Sequence, residues 1–229
     1  MSEHGAELDA EHVRALFQEL SNRLAASGAH AQLFVVGGAA MALAYDLSRL
    51  TRDVDAVFVP APEVRHAAEA IAAEQGLEPD WLNDAAKGFL PGQDEHPATA
   101  FESESLLVQV ASPEYLLAMK LHASRDERDL DDAATLYLRL GYTTAEQGID
   151  LLTSTYPVGR MLPRHRYIVE DVARRAAVRR AAQNDAPQQG DQRSPQQRAE
   201  RRSKLPSLGA SGRGSGRPDA HQPPPSHEL

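Results

Sequence analysis

Apolar positions along the chain follow two different periods, and together they outline an ordered set of elements. Val13, Leu16, Phe17, Leu20 and Leu24 recur at helical spacing, which predicts an amphipathic helix over residues 8–26, closed near Ser27-Gly28. The run AQLFVV (residues 31–36) is short, apolar, and rich in β-branched and aromatic residues, as a buried strand is. Gly37-Gly38 then opens the small-residue helix AAMALAYDL. DVDAVFV (residues 53–59) is a second strand, stopped by Pro60 and Pro62, and residues 63–75 form the helix after it. Residues 77–97 scatter Gly, Pro, Asn and Asp, and no period emerges there. Residues 98–111 predict a hairpin or a long bent strand, with LLVQV its firmest part. Ser112-Pro113-Glu114 is a helix start, Ser as N-cap and Pro in the first turn, and the helix carries Leu116, Leu117, Met119, Lys120 and Leu121. Further helices are expected over residues 127–140, 144–153 and 163–182. No internal repeat is visible. The order implies an α+β fold: a small mixed β-sheet with helices packed on one side, followed by a helical C-terminal part.

Composition adds a boundary. From about Asn184 the chain turns to Pro, Gly, Gln, Ser and Arg with almost no apolar residues, too little to offset the entropy of ordering it, so a disordered tail is expected over residues 183–229. Residues 1–111 then read as an α/β core and residues 112–182 as the helical part of the same globular unit. The tail carries 7 Lys/Arg against 5 Asp/Glu, and the whole chain is −9, which leaves −11 on residues 1–183. So acidic a folded part needs metal ions or a local basic patch to hold a phosphorylated ligand. The absence of cysteine excludes disulfides, thiolate–zinc sites and a catalytic thiol. The polar, acidic start is unlike a signal peptide, and no apolar run is long enough to span a bilayer, so a cytoplasmic protein with no membrane partner is expected.

Two segments carry chemistry. After a strand, Gly37-Gly38 lets the backbone turn sharply and keeps side chains away, so the amides of the next helix can meet an anion. Taken alone, the pair reads more readily as a tight, closely packed strand–helix turn. In Thr51-Arg52-Asp53-Val54-Asp55 the two carboxylates stand two residues apart, on one face of a strand. Asp is depleted in strands and two like charges repel, yet such a pair suits Mg²⁺, which takes one or two carboxylates plus substrate phosphates. The alternative is a polar stripe on an edge strand.

Gly38 and Asp53 are fifteen residues apart, room for one helix and a short loop. In this arrangement VVGGAAMALAYDLSRLTRDVDAVFV resembles the polymerase-β-like nucleotidyltransferases, and in particular the minimal AbiEii-type toxins. The resemblance covers about residues 32–140 in order, with a gap over about 77–97. Downstream, SPEYLLAMKLHASRDERDLDDAATL is similar to the family's helix Lys followed by Arg-Asp and a further Asp. The resemblance implies the nucleotidyltransferase fold. It makes Asp53 and Asp55 the ligands of Mg²⁺ (one ion or two) and, with Lys120, the catalytic residues. Gly37, Gly38, Arg49, Thr51, Asp129 and Asp132 become the nucleotide-binding set, with Lys120 reaching the phosphates. The implied activity moves an NMP from an NTP to an acceptor the sequence does not identify: an RNA 3′ end such as that of tRNA, a protein or a small molecule. A toxin–antitoxin partnership is implied by the same group.

Two departures point the other way. Ala39 replaces the family's usual Ser, and Gln109 stands where many relatives place a third carboxylate; Gln cannot take a proton at neutral pH. Glu102 and Glu104 are weaker substitutes. These departures support the alternative of a catalytically degenerate nucleotide- or partner-binding module; a third reading is an unrelated acidic α/β protein with coincidental motifs. His30, His66, His96 and His122 lack metal-ligand spacing, and Trp81 with the few other aromatics forms no base-stacking platform. Glu127, Arg128 and Asp131 read as a solvated ion-paired face, and RRAAVRR (174–180) as a charged helix end rather than an RNA contact.

Overall fold

Asp9 begins the first helix by accepting the backbone N–H of His12 at 2.8 Å, and α1 (Ala10–Ala26) buries Val13, Leu16, Phe17, Leu20 and Leu24 on one stripe. A computed structural model describes residues 7–124 and 126–185 of the chain. All of these belong to one compact unit, Met1–Ala186; the expected tail lies outside the described residues from position 186 onward.

The apolar runs become a five-stranded mixed sheet. Its strands are β1 (Ala31–Val35), β2 (Val54–Val59), β3 (Leu82–Asn83), β4 (Ala98–Glu102) and β5 (Leu106–Val110), in the order β3-β2-β1-β5-β4. β1 runs antiparallel to β2 and parallel to β5, while β2–β3 is parallel and β4–β5 antiparallel. Register decides which side chains meet. Leu33 pairs with Phe58 and Val108, and Val35 with Ala56 and Val110, so these residues share one buried face. α1 and α3 (Ala61–Gln75) cover that face, packing on each other, on β5 and on β2. Phe34 pairs with Val57 and Gln109 on the opposite, half-buried face, which also carries Asp55. Gln109 therefore does lie on the face of the acidic pair, one strand beyond β1.

Between β1 and β2 the helix ends two residues before the expected Leu47 and is wider in its second half. It consists of α2 (Gly37–Ala40) and a π turn over Met41–Tyr45, after which Asp46 is extended. Long-range bonds hold this end open: Arg14 Nη2 donates to Leu43 O at 3.1 Å, and Tyr45 Oη donates to Ala111 O at 2.6 Å. The segment without a period resolves into β3 and a 3₁₀ turn, Ala85–Phe89. Trp81 anchors it, fully buried, with its indole N–H on Ala68 O at 3.0 Å.

The helical part follows as α4 (Pro113–Ala123), α5 (Glu127–Arg139), α6 (Ala145–Thr155) and α7 (Pro163–Asp185). Ser112 caps α4, its Oγ accepting from Tyr115 N at 3.3 Å, and Tyr115 meets Phe34 edge-on at 5.5 Å. α7 runs three residues past the expected boundary at 182. Two of its arginines face α5: Arg175 bridges Glu127, Asp131 and Asp171, and Arg179 holds Asp131 at 2.6 Å. Arg175 and Arg179 of the Arg run thus tie α7 to α5. No helix among the described residues is long and apolar enough to cross a membrane.

Candidate active site

The turn after β1 shows why two glycines stand there. Gly37 has φ +66°, the left-handed region, and a Cβ on it would lie 2.8 Å from Asp55 Oδ2. A Cβ on Gly38 would lie 2.8 Å from Thr51 Oγ1 and 3.8 Å from Arg49 Nη2. The backbone of the turn is thus pressed against three of the expected site residues, a closeness no side chain permits.

Asp53 directly precedes β2 and Asp55 is its second residue. Both line a cleft of about 530 Å³, within the range of about 300–1,000 Å³ typical of small-molecule sites. Gly37, Gly38, Arg49, Thr51, Lys120 and Asp129 line it too. Asp55 is fixed by its backbone, whose carbonyl accepts Val36 N–H at 2.9 Å. Thr51 Oγ1 donates to Asp53 O at 2.9 Å, closing the bend that leads into the strand. A neighbour absent from the sequence reading is Asn83. It pairs in register with Asp55 and donates its amide to Asp53 Oδ2 at 3.2 Å, so β3 orients one member of the pair. Its signal was an Asn within the segment that shows no period.

The other wall is built on charge. Lys120 Nζ donates to Asp129 Oδ1 at 2.7 Å and to Asp132 Oδ2 at 2.8 Å. Asp132 also receives Arg49 bidentately, Nε at 3.0 Å and Nη2 at 3.2 Å. Side chains of Lys120 and Asp132 are only 9% and 6% exposed, so Lys120, Arg49, Asp129 and Asp132 form a largely dehydrated tetrad. Asp132 does not line the cleft itself; it binds the two cations that do, Arg49 and Lys120. The lysine's ammonium reaches the cleft already held by two carboxylates. The i, i+3 spacing of Asp129 and Asp132 on α5 presents both to Lys120 on α4.

Gln109, Glu102 and Glu104 do not line the cleft, and among the described residues no cluster of three or more His, Asp or Glu is arranged to hold a metal. The donor set at Gly37 is instead a carboxylate pair beside a backbone cradle. That all-oxygen set fits Mg²⁺, which completes its shell with phosphate and water. His122 lines the cleft, stacked on Tyr156 at 4.1 Å, and belongs to the wall. Arg128, expected only on a solvated face, lines the cleft as well, with a loose 3.9 Å contact to Glu7. Arg52 and Arg164 are exposed cations at the same cleft. Phe89, which the sequence reading passed over, lines it while 59% exposed.

A model of a family described as a nucleotidyltransferase of unknown function (DUF6036) matches residues 11–140, a span that includes every residue of the expected site. No curated protein and no solved structure gives a match.

Proposed function

The chain belongs to this family of nucleotidyltransferases, and on that premise we propose that its cleft transfers an NMP from an Mg²⁺-bound NTP to an acceptor hydroxyl. The observation that carries the reading is the meeting of Gly37-Gly38, Asp53, Asp55 and Lys120 at one cleft. Asp53 and Asp55 are the residues that would hold the ion; when bound, Mg²⁺ neutralises the triphosphate and stabilises charge on the attacking and leaving oxygens. First-turn amides at Gly37 and Gly38, free of side chains, face the phosphates. Arg49 and Lys120 supply positive charge beside them, held in place by Asp132 and Asp129. The acceptor oxygen attacks the α-phosphorus in line, the bond to the bridging oxygen breaks, and pyrophosphate leaves. The hydroxyl proton passes to a cleft carboxylate or to water. The chain contributes positioning and a fixed field.

A second reading has specific support. Gln109 shares the face of the acidic pair but offers no base, and Lys120 is already engaged by two carboxylates. A degenerate member would bind Mg²⁺–nucleotide and transfer nothing. Calorimetry tests what the two readings share. Wild type should bind ATP only with Mg²⁺, and Asp53→Asn/Asp55→Asn should lose that dependence with its thermal melt preserved. Magnesium-independent binding, equal in both proteins, would refute both.

The AbiEii-like resemblance supports a narrower proposal, that the chain is the toxin half of a toxin–antitoxin pair. Expression should then arrest growth, and the Asp53→Asn/Asp55→Asn variant should not. Equal growth with both proteins at equal expression would count against it.

A further inference from the structure

We propose that Phe89 is the surface on which the base of the nucleoside triphosphate stacks; the inference rests on the nucleotidyltransferase reading of the same cleft. Phe89 is 59% exposed where it lines the cleft, so its ring is open to a ligand. A lone exposed ring needs a reason beyond its exposure before a role is assigned to it. Its neighbours supply one. The cleft lining combines Gly37-Gly38 and the acidic pair with the apolar Ala85, Ala86, Phe89, Leu116, Met119 and Ala123. A nucleotide combines the same two characters: a polyanion joined to a flat π-face. Phosphates placed on the glycine turn leave the base to the apolar lining, where Phe89 is the aromatic ring.

Phe89 is also held ready. Its carbonyl accepts the Tyr156 hydroxyl at 3.1 Å, and Tyr156 is buried at 2% exposure. The Tyr156 ring lies 4.1 Å from His122, tilted by only 15°, and His122 lines the cleft from α4. The backbone of a turn that follows β3 is thereby fastened to the helical wall, which leaves only the side-chain rotamer of Phe89 to be fixed when ligand arrives. Preorganisation of this kind lowers the entropy cost of binding. Trp81, a stronger stacking residue by type, is buried and its N–H is taken by Ala68, so it has no such role.

The test compares two ligands of the same phosphate chemistry, Mg²⁺–ATP and Mg²⁺–tripolyphosphate, titrated into the full chain by calorimetry. Wild type should bind ATP more tightly than tripolyphosphate. Phe89→Ala should weaken ATP by about 5- to 100-fold, as loss of one base–aromatic stack does, and leave tripolyphosphate unchanged. Phe89→Trp should restore ATP binding. The exposed position makes the truncation tolerable to the fold, and an unchanged thermal melt confirms it. Equal weakening of both ligands, or of neither, would overturn the assignment. So would wild-type affinities for ATP and tripolyphosphate that are the same. Wild type binding neither of these ligands nor the Mg²⁺ complexes of GTP, CTP and UTP would instead refute the nucleotidyltransferase reading itself.

Discussion

Asp132 offers the sharpest test of how the cleft is held. It is 5% exposed and receives three hydrogen bonds from two cations: Arg49 Nε at 3.0 Å, Arg49 Nη2 at 3.2 Å and Lys120 Nζ at 2.8 Å. Replacing it with Asn keeps the shape and one acceptor oxygen but removes the charge. Lys120 and Arg49 would then lose the carboxylate they share, in a site with little water. Removing one partner of a buried pair costs about 3–5 kcal/mol, because the other charge stays behind uncompensated. The retained oxygen places Asp132→Asn near the lower end, about 3 kcal/mol, a large part of the ~5–15 kcal/mol that stabilises a typical domain. Asp131→Asn is the control. Asp131 also pairs with two arginines, Arg175 and Arg179, but its side chain is 51% exposed. Solvent screening limits its loss to about 0–1 kcal/mol. Urea unfolding of the three proteins, compared at constant m-value, reads both numbers. Equal losses for Asp132→Asn and Asp131→Asn would refute the claim that a dehydrated tetrad holds this wall.

Gly37→Ala should cost about 1–3 kcal/mol, since Gly37 sits at φ +66° and the new methyl would press on Asp55 Oδ2 from 2.8 Å; chemical denaturation reads the loss, and Mg²⁺–nucleotide affinity should fall with it. Gly28, also at positive φ but with nothing within 4 Å, should lose stability as Ala with no effect on nucleotide affinity. His165 is 1% exposed, with no partner on Nε2 among the described residues; burial first, then the charges of His122 and Arg164, lower its pKa from 6.5. The unfolded chain therefore binds the proton more readily, so stability should decline as pH falls below about 6.5, through the lowered folded value. His165→Leu should flatten that part of the pH profile of melting temperature, and an unchanged slope would contradict the assignment.

The elements that sequence alone delineates are those whose signals are local. Asp9 and Ser112 cap their helices through bonds three residues long, and the apolar stripe of α1 and the alternation in β5 are read within a single segment. β3 has no such signal: it is two residues long and exists because Leu82 and Asn83 pair with Val54 and Asp55. The same distance effect divides the site. Gly37-Gly38, Asp53 and Asp55 form a spaced motif, and Lys120 with Asp129 and Asp132 forms another, so both were visible in the chain. The bond that joins them, Arg49 to Asp132, spans 83 positions and required the fold. Asn83 and Phe89 lie in the segment without a period, where position in the cleft, not pattern, gives each residue its place. The π turn over Met41–Tyr45 differs from the expected helix because Arg14 and Ala111, both distant in sequence, bind its end.

Transfer itself is the most direct measurement. α-Labelled NTPs, all four, are offered with Mg²⁺ to total tRNA and to cell protein, with wild type and the Asp53→Ala/Asp55→Ala variant side by side. Label joined to an acceptor by wild type and not by the variant is the predicted result, and the labelled fraction identifies the acceptor class. No label in any fraction, from a wild type that binds Mg²⁺–NTP, would contradict the transfer reaction and leave the cleft as a nucleotide-binding site.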